Sequence, residues 1–189
     1  LIGKKVINTY HDLVFLENAK NKLDYYLKFF LFLYLPVKLS NEITCVSNKT
    51  HKEINNVLKV KNIRVIYNPV DELYKPMFKT FNEESPIILH IGTGWNKNLI
   101  NVIKALQGTP CHLRIIVRLS SDQVTELEKT NLSFSNSFNL SDNDVLKEYQ
   151  NCDIVSFPSI YEGFGMPIIE WQAIGRIVIT SDIEPIREV

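Results

Sequence analysis

The chain has 189 residues, of which 45% are hydrophobic and 22% charged, so it is long enough to bury one large core or two small ones. Its 21 basic and 21 acidic residues give a formal net charge of zero, which excludes the broad basic surface expected of a nucleic-acid-binding protein. The three cysteines, Cys45, Cys111 and Cys152, are widely separated and form no C-x-x-C pair, as expected of reduced thiols.

The chain opens on a predicted strand that ends at Tyr10, and His11-Asp12-Leu13 follows where a parallel strand would end. There is no initiator methionine and no lead-in before this strand. We therefore expect an internal piece of a longer protein that is incomplete at both ends. Such a piece would leave unpaired sheet edges or exposed apolar faces.

Residues 23–39 (LDYYLKFFLFLYLPVKL) are the most apolar stretch of the sequence. Lys28 and Pro36 interrupt it, and it is too short to span a bilayer. One interpretation is a helix that is buried in the N-terminal domain or covered by a segment outside this piece, which apolar residues nearly all round favour. The other is an interfacial helix on a membrane surface, because aromatic residues interleave with lysines.

The next elements are a strand at residues 42–47, a helix at 49–58 and a strand at 63–67, an alternation that predicts a β-α-β unit with parallel strands. Residues 68–86 then carry Pro69, Pro76 and Pro86 among polar residues and are predicted to be a linker. Asn68 fits a turn residue better than a ligand-binding residue.

After this linker a buried strand is predicted at residues 87–92, followed by a glycine turn with Lys97 and a helix up to Leu106. Lys97 stands where a dinucleotide fingerprint has its third glycine, and the strand at 113–117 is followed by Arg118 instead of an acidic residue. No Gly-Lys-Ser/Thr of a P-loop occurs either. A lysine beside a glycine turn and a helix start remains suitable chemistry for binding a diphosphate.

Asp142-Asn143-Asp144 has the D-x-D spacing of some metal sites, but Ser141 before it and Val145 after it favour a capped helix start. The four histidines, His11, His51, His90 and His112, are scattered without the spacing of metal ligands. We therefore expect no metal ion and no cofactor.

Residues 153–173 combine a buried strand, a turn with Gly163 and Gly165, and a helix that starts near Pro167. A helix N-terminus after a glycine turn carries free amides and a partial positive charge, which suits a phosphate or diphosphate. Glu162 lies in this turn and Glu170 one turn into the helix, among apolar neighbours. Glu170 is either an edge residue that reaches water or a salt bridge, or a carboxylate that accepts the hydroxyls of a ribose or sugar.

From Glu162 to Glu170 the sequence reads E-G-F-G-M-P-I-I-E, with Pro158-Ser159 before it and I-T-S-D-I-E-P at residues 179–185 after it. This run resembles the E-x7-E signature of family 4 (group 1) retaining glycosyltransferases, which have the GT-B architecture. N-P-V-D at 68–71 and K-N-L at 97–99 also resemble that family. Thr93 and Asn96 depart from it, since a second basic residue is common near that turn.

The resemblance implies an α/β fold with two partial Rossmann-like domains and parallel sheets. Residues 1–71 would be the end of the N-terminal, acceptor-side domain, 72–86 the interdomain linker, and 87–189 a truncated domain for the nucleotide-sugar donor. The implied activity is transfer of a sugar from a nucleoside-diphosphate sugar to a glycan or lipid-linked acceptor hydroxyl, with retention and without a metal, in polysaccharide or glycolipid biosynthesis. The implied location is the cytoplasm, with residues 23–39 as a candidate peripheral contact to the membrane.

The resemblance also assigns roles to individual residues. Catalytic roles fall to His11, Lys97 and Glu162. Contacts to the donor fall to a larger set: Gly92, Thr93, Lys97, Gly163, Phe164, Gly165, Met166, Pro167 and Glu170. The first alternative to a glycosyltransferase is a non-catalytic protein, either a truncated relic or a sugar-nucleotide-binding subunit. The second alternative is a sugar-nucleotide epimerase.

Overall fold

The computed structural model describes residues 4–189, and it is an α/β structure in which every strand pair is parallel. The chain divides into two compact units. The first contains the described residues up to Pro69 together with Glu162–Gly165 and Glu184–Val189, and the second contains Val70–Tyr161 and Met166–Ile183. The α/β class and the parallel sheets expected from the sequence are confirmed, whereas the domain limits at residues 71 and 87 stay a prediction.

The sheet of the first unit has three strands in the order β1-β2-β3. Its elements are β1 (Ile7–Tyr10), α1 (Val14–Glu17), α2 (Lys22–Lys28), a π-helix (Phe29–Tyr34), α3 (Leu35–Leu39), β2 (Glu42–Cys45), α4 (Asn48–Val57), β3 (Ile63–Val65) and a 3-10 turn (Ile186–Glu188). Tyr10 pairs with Cys45, and Ile43 with Ile63. The first three residues of the predicted opening strand lie outside the described residues.

The core of this unit forms where the helices pack on the sheet. Its fully buried members include Leu33, Cys45 and Ile54, one each from the π-helix, β2 and α4. Helix α4 begins where Ser47, in extended backbone, accepts a hydrogen bond from the Thr50 amide. The predicted β-α-β unit is therefore confirmed, with two strands shorter than predicted and a helix that begins and ends one residue earlier.

The carboxylate of Glu188 lies at the N-terminus of α4. It accepts hydrogen bonds from the backbone amides of Asn48 (2.8 Å) and Lys49 (3.1 Å). The Asn48 side-chain amide (3.0 Å) and the Tyr67 hydroxyl (3.3 Å) donate to it as well. A carboxylate at this position satisfies amides that lack a partner within the helix and complements the helix dipole.

The sheet of the second unit has five strands in the order β6-β5-β4-β7-β8. Its elements are β4 (Ile87–Ile91), a 3-10 turn (Trp95–Lys97), α5 (Leu99–Ala105), β5 (His112–Ile116), α6 (Ser121–Glu128), β6 (Ser133–Ser137), α7 (Asp142–Asn151), β7 (Ile154–Phe157), α8 (Met166–Ile174) and β8 (Ile177–Thr180). Side chains of β4 and β5 pack with α5 and α6 in one core cluster, which includes Leu113, Ile115 and Leu127. The fully buried Trp171 packs edge-on against Phe157 and Tyr149.

The predicted linker has no helix or strand between residues 66 and 86, yet it is firmly attached to the second unit. The buried Arg176 guanidinium donates to the carbonyl of Met77 in this segment and to the carbonyls of Tyr149 and Gln150 at the end of α7. Asp153 pairs with Lys79 and accepts from the amides of Asn82 and Ile87. One buried cation and one buried anion therefore hold the linker in place.

All three cysteines are buried free thiols. Among the helices of residues 4–189, none is long and apolar enough to cross a membrane.

Candidate functional site

Lys97 lies at the carboxyl ends of β4 and β7 in the second unit, where open α/β sheets bind ligands. Its ammonium nitrogen is 4.4 Å from the centre of the Phe157 ring at the end of β7. Gly92 makes this placement possible, because its φ is +94° and a methyl group there would be 2.9 Å from Cγ of Lys97. Gly92 therefore acts by letting the Lys97 side chain pass over the turn.

Two asparagines fix the turn that carries Lys97. The Asn96 carbonyl accepts from the Ile160 amide (2.8 Å), and the Asn96 side-chain amide donates to the Tyr161 carbonyl (3.2 Å). Asn98 adopts the left-handed conformation, with φ of 63°, and donates to the Pro158 carbonyl (3.2 Å). From the sequence, Asn96 was expected only to depart from the family pattern. The left-handed conformation of Asn98 could have been predicted from the sequence, because asparagine tolerates that region better than most residues.

A hydrogen bond joins Thr93 and Arg118 at the carboxyl ends of β4 and β5. The Thr93 hydroxyl donates to the Arg118 carbonyl (2.9 Å), and the Thr93 carbonyl accepts from the Gln123 side chain (2.9 Å). The Arg118 guanidinium lies 4.8 Å from the centre of the half-exposed Phe138 ring, which follows β6. Arg118 is thus a second positive charge at the carboxyl ends of the strands, which the sequence analysis did not assign to the site.

Glu170 lies half-buried on α8 beside Tyr149. Burial raises the pKa of this carboxyl group, the charge of Asp71 raises it further, and a hydrogen bond with Tyr149 opposes the shift. Met166 and Pro167 form the first turn of the same helix, as the sequence predicts. A carboxylate that is partly withdrawn from water binds hydroxyl groups more strongly than an exposed one.

Gly163 packs directly on the backbone of His11 in the first unit. A methyl group at Gly163 would be 2.3 Å from the His11 carbonyl oxygen and 3.0 Å from Cβ of Asp12. The close contact with His11 therefore leaves no room for a larger residue at position 163. Gly165 is favoured for a different reason, since its φ of +101° lies in a region that other residues rarely adopt. The His11 side chain is exposed beside this contact.

Two buried hydroxyls join the turn at Gly163 to the segment at His11. Ser47 donates to the Gly163 carbonyl at 2.7 Å. Thr50 donates to the His11 carbonyl at 3.1 Å and lies 3.5 Å from the Gly163 carbonyl. Both residues belong to the start of α4, and neither could be recognised from the sequence, where this helix is only a fold element.

Phe164 uses its side chain for packing. It is nearly fully buried, and its ring stacks on Tyr67 with the centres 5.8 Å apart and the planes at 29°. The predicted contact of Phe164 with a donor would therefore be made by its backbone. Of the predicted site residues, His11, Glu162, Gly163, Phe164 and Gly165 belong to the first unit, and Gly92, Thr93, Lys97, Met166, Pro167 and Glu170 to the second.

The D-x-D at residues 142–144 is a helix start, as predicted. The Ser141 hydroxyl accepts from the Asp144 amide and donates to the Asp144 carboxylate (2.7 Å), which also binds Lys147 (2.8 Å). Across residues 4–189, no cluster of three or more His, Cys, Asp or Glu side chains is placed to hold a metal ion.

Comparison with known proteins defines the class and then the family. The fold resembles the crystal structure of Anabaena Alr3699/HepE in complex with UDP and glucose, with a TM-score of 0.76, 14% identity, and coverage of 98% of this chain and 55% of that one. It also resembles WaaG, a glycosyltransferase involved in lipopolysaccharide biosynthesis, with a TM-score of 0.71, 12% identity, and coverage of 94% and 56%. The fold is therefore that of the GT-B glycosyltransferases.

The sequence of residues 75–189 matches the family described as glycosyl transferases group 1, and the chain belongs to this family. It is 30% identical over 169 residues to the O-antigen chain mannosyltransferase RfbU of Salmonella typhimurium, covering 83% of this chain and 46% of that protein. It is 32% identical over 88 residues to the serotype-specific mannosyltransferase WbdA of Escherichia coli, covering 47% of this chain and 10% of that protein. The chain thus spans less than half the length of these two relatives.

Proposed function

We propose that the protein to which this chain belongs transfers a sugar from a nucleoside diphosphate to an acceptor hydroxyl, with retention of configuration and without a metal ion. The observation that carries the proposal is the placement of Lys97 at the carboxyl ends of β4 and β7 in a chain with the E-x7-E run. Family membership supports the reaction class.

Departure of the nucleoside diphosphate is the chemically demanding step. Negative charge builds up on the diphosphate while the sugar takes on oxocarbenium character, and fixed positive groups lower the barrier by stabilising that charge. Lys97 and the amides of residues 163–166 are the groups we assign to this task. Arg118 is a further cation at the strand ends of the second unit.

The two glutamates and His11 are assigned to binding the donor. In our proposal Glu162 binds hydroxyls of the transferred sugar, Glu170 binds the ribose diol, and His11 contacts the transferred sugar or its phosphate. None of these roles requires a covalent intermediate on the protein. The partly buried Glu170 carboxylate supports the ribose assignment, because a diol offers two donors to its two oxygens.

The donor sugar we propose to test first is mannose, since RfbU and WbdA are both named mannosyltransferases. A cell-surface polysaccharide is the corresponding acceptor class, because RfbU is named for the O-antigen chain.

The test is nucleotide release by the protein expressed at the length its gene encodes. GDP-mannose and UDP-sugars are supplied with an acceptor-containing lipid extract, with and without EDTA, and the anomeric configuration of the product is determined by NMR. We expect release of GDP that EDTA does not reduce and a product with the configuration of the donor. Donor binding without release would instead support a sugar-nucleotide-binding subunit, and neither binding nor release would support a relic.

A further inference from the structure

Tyr149 lies in a buried contact between two helices of the second unit. It is 5% exposed near the end of α7, and its ring packs edge-on against Trp171 of α8, with the ring centres 5.7 Å apart. Its side chain also forms a hydrogen bond with Glu170, the neighbour of Trp171 on α8. The buried Arg176 guanidinium donates to the Tyr149 carbonyl (2.9 Å). Both the backbone and the ring of Tyr149 are therefore held in place.

The hydroxyl group of Tyr149 is suited to donate this hydrogen bond. Burial raises the pKa of Tyr149 and the negative charge of Glu170 raises it further, so the phenol keeps its proton. An ionised carboxyl group can only accept hydrogen bonds. The bond therefore runs from Tyr149 to Glu170 and stabilises the charged form of the carboxylate.

The linker packs against the same ring. The Tyr74 ring lies at 33° to the Tyr149 ring, with the centres 6.0 Å apart. Tyr74 belongs to a turn that begins at Asp71, which we call the linker turn. The Asp71 carboxylate accepts from the Leu73 amide (2.9 Å), and its carbonyl accepts from the Tyr74 amide (3.0 Å). Tyr149 is therefore enclosed between the linker turn and α8.

The groups around Glu170 act on its charge in opposite directions. Burial raises the pKa of Glu170, and the negative charge of Asp71 raises it further. Burial, Glu170 and Asp71 also raise the pKa of Tyr74, with Asp142 at the start of α7 as a smaller contribution. The hydrogen bond from Tyr149 lowers the pKa of Glu170 and so favours the carboxylate.

We propose that Tyr149 is a positioning residue for Glu170, whose carboxylate it orients toward the ribose diol of a nucleoside diphosphate, and that the linker turn holds the Tyr149 ring. This role rests on the ribose contact of Glu170 given under the proposed function. A carboxylate that accepts one hydrogen bond from Tyr149 still has lone pairs for two ribose hydroxyls. Fixing its orientation before the ligand arrives lowers the entropy lost on binding.

Nucleotides with and without the ribose 2′-hydroxyl group test this contact. Calorimetry on the protein expressed at the length its gene encodes compares GDP with 2′-deoxy-GDP, and UDP with 2′-deoxy-UDP. The wild type should bind its preferred nucleotide about tenfold more tightly than the deoxy form, because a hydrogen bond to a charged group is lost. Tyr149→Phe, which keeps the ring, should reduce this preference to about threefold, and Glu170→Ala should abolish it.

The outcomes separate the positioning role from the ribose role. If the wild type binds neither nucleotide, or binds both ribose forms equally, the ribose role of Glu170 is wrong and the positioning role is overturned with it. If Glu170→Ala abolishes the preference while Tyr149→Phe keeps the wild-type value, the positioning role alone is overturned. In the Glu170→Ala background, Tyr149→Phe should have no further effect on the preference, since Tyr149 acts through Glu170.

The pH dependence is a readout that a purely structural role would not move. Nucleotide binding should weaken on acidification as Glu170 takes up a proton, and a higher pKa moves the onset to a higher pH. Tyr149→Phe removes a hydrogen bond that lowers the pKa, so its onset should move up in pH. Asp71→Asn removes a charge that raises the pKa, so its onset should move down. Shifts in the same direction, or no shift, would overturn the proposal.

Further variants exclude a general effect of the substitution. Tyr34→Phe in the π-helix of the first unit makes the same chemical change and should alter neither the preference nor the onset. Tyr74→Ala removes the ring that packs on Tyr149 and should reduce the preference, whereas Tyr74→Phe, which keeps this ring, should restore it. This pair tests the proposal even if Tyr149→Phe folds poorly, and a wild-type preference in Tyr74→Ala would overturn the role of the linker turn.

Discussion

The Ser47 hydroxyl donates a hydrogen bond to the Gly163 carbonyl over 2.7 Å, although 116 residues separate them in the chain. Ser47 is fully buried, and its hydroxyl is a closer donor to the Gly163 carbonyl than the Thr50 hydroxyl, which lies 3.5 Å away. The same hydroxyl accepts from the Thr50 amide at the start of α4. One side chain thus begins a helix and fixes the turn of the E-x7-E run.

Ser47→Ala should therefore cost more stability than loss of a helix cap alone. We expect about 2 to 3 kcal/mol, because a capping bond is lost and the Gly163 carbonyl loses its shortest hydrogen bond. Ser141→Ala is the matched control, since Ser141 caps α7 at an exposed site, and it should cost about 1 kcal/mol. Urea unfolding of both variants measures the difference, and equal costs would contradict the coupling.

Gly163→Ala should displace the turn or the segment at His11. The added methyl group would lie 2.3 Å from a backbone oxygen, which cannot move without the chain, so we expect a loss of at least about 2 kcal/mol. Gly108→Ala is the control, because Gly108 has a φ of +76° but open space around it, and conformational strain alone should cost about 1 kcal/mol. A smaller loss at Gly163 than at Gly108 would refute the packing argument.

Lys97→Ala should lower kcat/KM for sugar transfer by about 100-fold or more, as removal of a group that stabilises transition-state charge does. Lys104→Ala provides the comparison, since Lys104 is an exposed lysine on α5 and should leave the rate unchanged. Steady-state kinetics of both variants measure this difference in kcat/KM. A Lys97→Ala enzyme with the wild-type rate would remove this residue from the mechanism.

Glu170→Ala should mainly raise the KM for the donor, by about tenfold, with little change in kcat, because ribose contacts are equal in the ground and transition states. Glu128→Ala, at an exposed position on α6, should change neither. In the wild-type protein the donor KM should also rise on acidification, beginning at a higher pH than an ordinary glutamate would give, since the pKa of Glu170 is raised. A KM independent of both changes would argue against the ribose assignment.

His90 should make the second unit sensitive to acid. Burial lowers the pKa of this histidine from 6.5 to about 4, so the unfolded chain binds a proton that the folded chain excludes between these values. Stability should fall as the pH drops through this window, by roughly 3 kcal/mol at most. His90→Met should remove this part of the pH dependence and His112→Gln should keep it, as measured by urea unfolding at several pH values. Identical slopes in the wild type and His90→Met would contradict the prediction.

Local features of this protein could be predicted from the sequence because each depends on neighbouring residues. The short apolar strands, the break after Asn68 and the cap at Ser141 are of this kind. The hydrogen bond from Ser47 to Gly163 and the contact of Gly163 with His11 could not, because no local pattern states which loops meet. The π-helix at Phe29–Tyr34 was also missed, since apolar periodicity does not distinguish it from an α-helix.

The four hydrogen bonds to Glu188 have a consequence for ligand selectivity. A phosphate approaching the start of α4 would have to displace a carboxylate that already holds two backbone amides, a side-chain amide and a hydroxyl. The protein thus neutralises an anion-attracting helix end with its own side chain. A phosphate-bearing ligand is therefore less able to bind at the start of α4, because the Glu188 carboxylate already occupies the amides there.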